Sequence, residues 1–367
     1  MRILLIGEFS NVHATLAESF RKAGHEVLLV SDGDDWKGYK RDISIRRQYK
    51  GKAGTLHLLM QWALQLPKLR GFDIVHFINP KFTDMHPAVD KRLFDWLSRH
   101  NKHVTLGLYG DDYVVIRQLE RGILEYSELQ AYGKRINITE QKQRIHAWTT
   151  ACRPLCEHIV EHAEILIPCL YEYYFLYRSL HQDAIDGKLH YIGLPINPKD
   201  RNPKEIGARV RILIGIQKKR CNTKGTDKML PLFERLAEQY PDKVELIKAE
   251  NIPFYEYRKL LSSCDILVDQ LYSYTPAMNA LEAMSHGIVV ISGGEEDYYR
   301  FIGEETLRPI VNLRPLNDEE NYKIIEQIAL DSDLLSRKKV ESIAFVAKYH
   351  NADNIAKEYL NLWQSLL

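Results

Sequence analysis

Short, continuously apolar runs that stop at a glycine, each followed by an amphipathic stretch, are the feature that most restricts what this chain can fold into. Residues 2–6 (RILLI) end at Gly7, residues 11–22 repeat apolar positions at helical spacing, and Gly24 precedes a second run at 26–30. A run without polar alternation is buried on both faces, and a strand, helix, strand order joins parallel strands through a right-handed crossover. Further strands are expected at 73–78 and 103–108, with a helix at 89–100 between them. The first half therefore reads as a doubly wound α/β domain.

At Tyr191-Ile-Gly-Leu-Pro195-Ile-Asn197-Pro198 the character changes, and the polar residues 199–207 add Pro203 and Gly207. Turn formers at this density mark a linker. Beyond it the rhythm restarts, with strands expected at 210–216, 243–247, 266–268 and 288–292 and helices at 227–239, 254–263 and 277–285. A chain of 367 residues is longer than one core of ordinary size serves, so a first domain is expected at 1–198 and a second from 199. Two such domains facing across a cleft present the strand C-termini on opposite walls, where ligands bind in this architecture.

Composition removes several functional classes. Hydrophobic residues make up 45% and charged residues 27%, enough apolar side chain for two cores and too little charge for disorder. A formal net charge of +1 gives no overall attraction to nucleic acid. The first apolar run breaks at Gly7 and Glu8, before a signal-peptide core is complete. The longest apolar stretch, 56–69, is interrupted by His57, Gln61, Gln65, Pro67 and Lys68, short of the roughly 20 residues that cross a bilayer. Five scattered cysteines suit a reducing compartment, so a cytoplasmic location is expected. Cys152, Cys156, His158 and His162 have the residue types of a zinc site. At about 100° per residue, however, thiols and imidazoles leave one helix on different sides, and no metal is expected there.

Three turns carry candidate chemistry. The first, Gly7-Glu8-Phe9-Ser10-Asn11-Val12-His13, lacks G-x-G-x-x-G and so argues against a nicotinamide enzyme. Ser10 or Asn11 caps the following helix on the plain reading; on the functional one, free N–H groups at Gly7, Ser10 and Asn11 face a phosphate or an acceptor hydroxyl. The second turn, Ile216-Gln217-Lys218-Lys219-Arg220-Cys221-Asn222-Thr223-Lys224-Gly225, crowds four cations at a strand C-terminus. Each contact with an anion there is worth about 4 kcal/mol at an effective dielectric near 20, and a diphosphate is the natural partner. In the third, Tyr274-Thr275-Pro276-Ala277-Met278-Asn279 leads into a helix that carries Glu282 and stops at Gly287. Its N-terminal N–H groups suit a diphosphate, and Glu282, less than two turns in, is placed to accept hydrogen bonds from sugar or ribose hydroxyls.

Taken in order, these motifs resemble the retaining GT-B glycosyltransferases of family 4 over nearly the whole chain. Ala280-Leu-Glu282-Ala-Met284-Ser-His-Gly287-Ile-Val-Val290 is similar to that family's L-E-A-M-A-x-G-x-P-V signature, and Lys224-Gly225 to its K-G phosphate turn. Asp73-Ile-Val-His76 is similar to its D-V-V-H strand, and Tyr349-His350 with a closing helix to its C-terminal end. The resemblance implies a GT-B fold of two Rossmann-like domains, the second at 199–348, with a closing helix at 349–367 returning to the first. It implies a sugar nucleotide docked on the second domain, through Lys218, Lys219, Arg220, Lys224, Gly225, the 274–279 segment and Glu282. The acceptor then lies on the first domain, near Gly7, Ser10, Asn11 and His76. No cofactor and no metal are implied, and the acceptor is a carbohydrate or a lipid-linked glycan of surface polysaccharide synthesis.

The sequence also departs from the family. Eight residues before Glu282 stands Tyr274, where the first glutamate of E-x7-E usually contacts the donor sugar. Where many members carry an active-site histidine, this chain has Tyr109-Gly110-Asp111-Asp112, so an aspartate, with Lys224 and Glu282, takes the catalytic role on this reading. Two alternatives stand beside it: a GT-B subunit that binds a sugar nucleotide or partner without catalysis, and a sugar-nucleotide epimerase. Residues 36–52 set seven cations and three aromatics against one aspartate, a pattern that fits either an anionic membrane surface at its inner face or a solvated loop.

Overall fold

The computed structural model describes residues 1–197, 202–217, 220–250 and 252–367. In chain order its first part forms β1 (Arg2–Ile6), β2 (Glu26–Ser31), β3 (Ile43–Ser44), β4 (Ile74–Phe77), β5 (His103–Leu108), an antiparallel hairpin of β6 (Gln130–Ala131) and β7 (Lys134–Arg135), and β8 (Ile165–Pro168). All but the hairpin make one parallel sheet in the order β3-β2-β1-β4-β5-β8. Ile3 pairs with Val27 on one side and Ile74 on the other, which puts the reversal of strand order between β1 and β4. The second part contributes β9 (Val210–Ile216), β10 (Val244–Glu250), β11 (Ile266–Val268) and β12 (Val289–Ile291), parallel in the order β10-β9-β11-β12. Here the reversal falls between β9 and β11. Ligands of doubly wound sheets bind beyond the strand C-termini at such switch points.

The helices follow from sequence spacing. In Val12–Lys22, Val12, Leu16 and Phe20 are buried along one face and pack on the first sheet. Pro87 opens its helix, Pro87–His100, two residues ahead of the expected start, because proline suits the first helical position. The helix expected from Ala277 runs Met278–Ser285, with Ala277 as its extended N-cap and Gly287 leaving it at φ 69°. Between β5 and the linker, where the sequence points to a helix only around 152–162, the chain forms helices Tyr113–Glu120, Ile138–Thr149, Arg153–His162 and Tyr171–Arg178. Within Arg153–His162, Cys156 is buried while His158 hydrogen-bonds Asp95 at 2.6 Å. Among the described residues no cluster of His, Cys, Asp and Glu is arranged to hold a metal ion.

Residues 198–201 of the expected linker, with the 198/199 boundary, lie outside the described residues. Just before them Ile196 pairs with Asn351, its N–H donating to the His350 carbonyl at 2.7 Å. From there the last helix, Ala352–Gln364, capped by the Asn351 side chain, lies against Val12–Lys22. Asp353 accepts from Ser19 and Lys22, and the Trp363 ring sits 5.3 Å from Phe20, both rings fully buried. The C-terminal helix is thus part of the first domain's core. Removing a buried indole costs about 3–5 kcal/mol, so Trp363→Ala should lower stability to urea, followed by far-UV circular dichroism, by that amount. Trp363→Phe should cost much less, since the Trp363 N–H has no hydrogen-bond partner among the described residues; equal losses in the two variants would show that the helix is not held by this packing.

Candidate functional site

Both switch points open onto one cavity of about 1250 Å³ between the sheets. The first domain lines it with Glu8, Ser10, Asn79, Gly110 and Asp111, the second with Arg220, Asn222, Thr223, Gln270, Ala277 and Met278. Of the second-turn cations, Arg220 lines the cavity, while Lys218 and Lys219 lie outside the described residues.

The first turn differs from its sequence reading in one decisive respect. Neither Ser10 nor Asn11 caps the helix with its side chain. Glu8 does so, one carboxylate oxygen accepting from the Ala14 N–H at 2.8 Å and the other from His13 at 3.3 Å. The Ser10 N–H donates to Asp34 at 2.8 Å, and the Asn11 amide donates to Thr15 at 3.1 Å. Gly7 takes φ 88°, and a Cβ there would lie 2.3 Å from Ile78, so the position answers to backbone packing. The turn is therefore already filled by two carboxylates of the chain itself, and its expected role as a phosphate cradle is not available. Glu8 is 2% exposed, and burial pushes its carboxyl up to about 8 against the opposing pull of the Ala14 and His13 N–H groups.

The paired aspartates separate. Asp112 is fully buried, caps Tyr113–Glu120 by accepting from Val115 at 2.8 Å, and receives the Tyr177 hydroxyl at 2.7 Å. Burial pushes it up to about 6, and it does not line the cavity. Asp111 does, and Arg144 grips it through two hydrogen bonds of 2.5 and 2.6 Å while also reaching Glu128 at 2.8 Å. His76, expected on the acceptor side, points away from the cavity into the layer beneath the C-terminal helix. It is fully buried, bonded to Thr105 at 2.9 Å and packed by His13, Tyr359 and Trp363, and burial holds its imidazole well below the usual range. A histidine on a strand with apolar neighbours on both sides is a core residue here.

On the second domain, Lys224 donates to Asp269 at 2.9 Å, and Asn279 donates to the same oxygen at 3.0 Å. Burial of Asp269 opposes its charge, but Lys224 outweighs this and holds the carboxyl below its usual value. Lys224 thus braces the end of β11, and the Gly225 turn behind it takes φ 73°. Tyr274, at the place of the family's first glutamate, is 5% exposed and stacks on Tyr126 with ring centroids 4.7 Å apart. Thr275 and Pro276 are buried beside it; Ala277 and Met278 reach the cavity. Asn279 and Glu282 are half-buried on the helix, with Glu282 3.4 Å from His286.

Sequence reasoning missed the residues that join the domains. Glu172, from Tyr171–Arg178, accepts from the Tyr274 N–H at 3.3 Å and the Thr275 hydroxyl at 2.6 Å, and burial pushes it up to about 7. Tyr126 donates its hydroxyl to Glu295 at 2.7 Å, a carboxylate also held by Asn312 and Arg314. Gln141 reaches Asn222 and Thr223. None of these contacts had a local signal; the first-domain cap Glu8 did, as an acid directly after a strand-ending glycine.

No family model matches the chain, and no curated protein matches it in sequence. Solved structures do. HepE of Anabaena, solved with UDP and glucose, matches at 12% identity over the whole of both chains with a TM-score of 0.62. Sucrose-phosphate synthase of Thermosynechococcus elongatus matches at 14% identity over 100% of this chain and 99% of its own, with a TM-score of 0.60. WaaG, a glycosyltransferase involved in lipopolysaccharide biosynthesis, matches at 12% identity over 99% of each chain, with a TM-score of 0.58. At such identities the likeness establishes the fold, and that fold is GT-B.

The buried Glu8 makes the stability of the fold depend on pH. Its carboxyl titrates near 8 when folded and near 4.5 when not, so between those values the native state holds a proton that the unfolded chain has released. That contribution is complete below about 4.5 and is lost as pH rises through about 8. Relative to Glu8→Gln, the wild type should lose up to about 1.4 kcal/mol of stability per pH unit in this window. Parallel pH profiles from denaturant titrations would contradict a buried, protonated Glu8.

Proposed function

We propose that the chain is a glycosyltransferase that moves a sugar from a nucleoside-diphosphate sugar to a carbohydrate acceptor, with retention of configuration. What carries this reading is a single coincidence: in a GT-B frame of full length, both switch points open onto one cavity large enough for a nucleotide sugar and an acceptor together. HepE, on the same frame, has been solved with UDP-glucose, so uridine nucleotides are the first donors to test. The membership of family 4 rests on the Glu282 signature.

On this reading the nucleotide lies against the Met278–Ser285 helix, with Glu282 accepting from its hydroxyls. Arg220 meets the diphosphate, with Lys218 and Lys219 beside it in sequence, and Lys224 keeps that wall in place through Asp269. Fixed positive charge assists departure of the nucleoside diphosphate as the sugar C–O bond breaks, and the acceptor hydroxyl attacks the face that the leaving group vacates while its proton passes to the departing diphosphate oxygen, so no covalent nucleophile is needed. Asp111, oriented by Arg144, is the carboxylate placed to hydrogen-bond a sugar in the cavity. A divalent ion would need carboxylates at the diphosphate wall, where this chain offers cations instead, so transfer proceeds without metal. The acceptor is a lipid-linked glycan of surface polysaccharide synthesis, handled at the inner face of the membrane. One observation favours a second reading, a GT-B subunit that binds without transfer: Tyr274 stands buried where a donor-contacting glutamate would be.

Mixing the chain with UDP-, GDP- and TDP-sugars separates the two. A transferase releases nucleoside diphosphate only when acceptor is present, whereas a pure binder shows a thermal shift and no release at any acceptor concentration. For the transferase, EDTA should leave the rate intact, and restoration of an EDTA-abolished rate by Mg2+ or Mn2+ would refute the charge-assisted route. Glu282→Gln, which barely changes helix propensity, should lower turnover or nucleotide affinity at least about tenfold, or about 1.4 kcal/mol; full activity in that variant would remove Glu282 from the site. Lys224→Ala does not report on donor contact alone, because it leaves the buried Asp269 carboxylate without its ion pair, held only by Asn279 and Gln270, and costs about 3–5 kcal/mol of stability for that reason.

A further inference from the structure

The helix Gly51–Gln65 carries apolar residues on its outer side as well as its inner one. Leu58 and Trp62 are buried on its inner side and line the cleft. On its outer side Leu56, Met60 and Leu64, at 61%, 55% and 71% exposure, stand four residues apart and share one stripe. Exposed apolar residues grouped on one stripe of a surface helix mark an interaction site, although Lys52, His57 and Gln61 keep part of this helix polar. Its charge setting is as one-sided: between Asp42 and Asp73 there is no acid, while Arg46, Arg47, Lys50, Lys52, Lys68 and Arg70 fall in that interval. Arg46 and Arg47 pair with Asp35 and Asp84 from outside it. Lys50 and Lys52 at the start of the helix, and Lys68 and Arg70 just beyond its end, are exposed and make no ion pair among the described residues.

We infer that this outer face is a docking surface for an anionic lipid bilayer, with Leu56, Met60 and Leu64 entering the headgroup boundary and the four unpaired cations meeting lipid phosphates. Apolar residues on one side and flanking cations are what an in-plane interfacial helix requires, and no helix of the described residues is long and apolar enough to cross a membrane. The sequence reading gave the basic character to residues 36–52. Within that segment Lys37, Arg46 and Arg47 pair with Asp34, Asp35 and Asp84, while Lys40, Lys50 and Lys52 are exposed and make no ion pair among the described residues, and the apolar stripe lies beyond them at 56–64. Pairing with a second copy of the chain across a two-fold axis would oppose the same four cations to themselves. A bilayer also suits the position, because one face of the helix would lie on the membrane while the other forms a wall of the cleft. The purpose of the surface rests on the lipid-linked acceptor proposed above; its detection needs no transfer activity.

Cosedimentation with phosphatidylcholine vesicles, with and without phosphatidylglycerol, tests it. The full chain should bind the anionic vesicles, less so at high salt, and bind the neutral ones weakly. The exposed-site variant Leu56→Glu with Leu64→Glu should lose about tenfold or more of that binding, and Lys50→Glu with Lys52→Glu should lose the preference for phosphatidylglycerol. Both variants should keep the wild-type circular dichroism and nucleotide thermal shift, so loss of lipid binding is separable from failure of the proposed function. Absence of vesicle binding by the wild type, or unchanged binding by the leucine variant, would overturn the inference. So would a concentration-dependent dimer in sedimentation velocity that the leucine variant dissociates without any lipid effect.

Discussion

Glu172 is the contact on which the arrangement of the two domains depends. It sits in the first domain, yet both of its oxygens are taken by the second, by the Tyr274 N–H and the Thr275 hydroxyl. A buried carboxylate is tolerated only where hydrogen bonds replace its water, so the loop that supplies them cannot withdraw without exposing an unsatisfied group. That loop leads directly into the Met278–Ser285 helix. Tyr126, stacked on Tyr274 and bonded to Glu295, anchors the same loop from a second direction. The width of the cleft and the direction of the Glu282 helix are thus set by side chains from the opposite domain.

The walls of the cleft have different electrical characters, and the difference is built from pairing. On the first-domain side the carboxylates of Glu8 and Asp34 close the donors of the first turn, and Asp111 is held by Arg144. Burial keeps Glu8 protonated, while the Asp34 and Asp111 carboxylates are each held in a fixed direction by a cation, Lys37 and Arg144. On the second-domain side Lys224 is neutralised by Asp269, while Arg220 faces the cavity without an ion pair among the described residues. A ligand with an anionic end and a hydroxylated end would orient along this gradient, since reversing it would bring like charges together in a partly desolvated space.

Helix Gly51–Gln65 connects that cleft to the outside. Its buried side contributes Leu58 and Trp62 to the cavity wall, and its exposed side carries the leucine stripe between two pairs of cations. One short element therefore couples a surface suited to lipid phosphates with the first-domain end of the site.

Much of the fold was written in local sequence. RILLI before Gly7 fixes a buried strand by its lack of alternation, Pro276 and Gly287 bracket the Glu282 helix, and the restart of the pattern at Val210 divides the chain, because each of these depends on neighbours within a few residues. The same locality explains the errors. His76 and Asp112 have the residue types of a site, but which way a strand residue or a helix cap points is decided by the layer that covers it, here the C-terminal helix and Tyr177. Glu8 replaced Ser10 as the cap because folding brought its carboxylate over the helix end. Arg144 meets Asp111 across 33 residues and Glu172 meets Thr275 across 103, distances over which sequence carries no pairing signal. The sequence determined the elements and their order; only the tertiary structure decided which polar side chains satisfy one another in the interior and which remain to face the cleft, because burial penalises every unpaired polar group and that accounting is closed only in three dimensions.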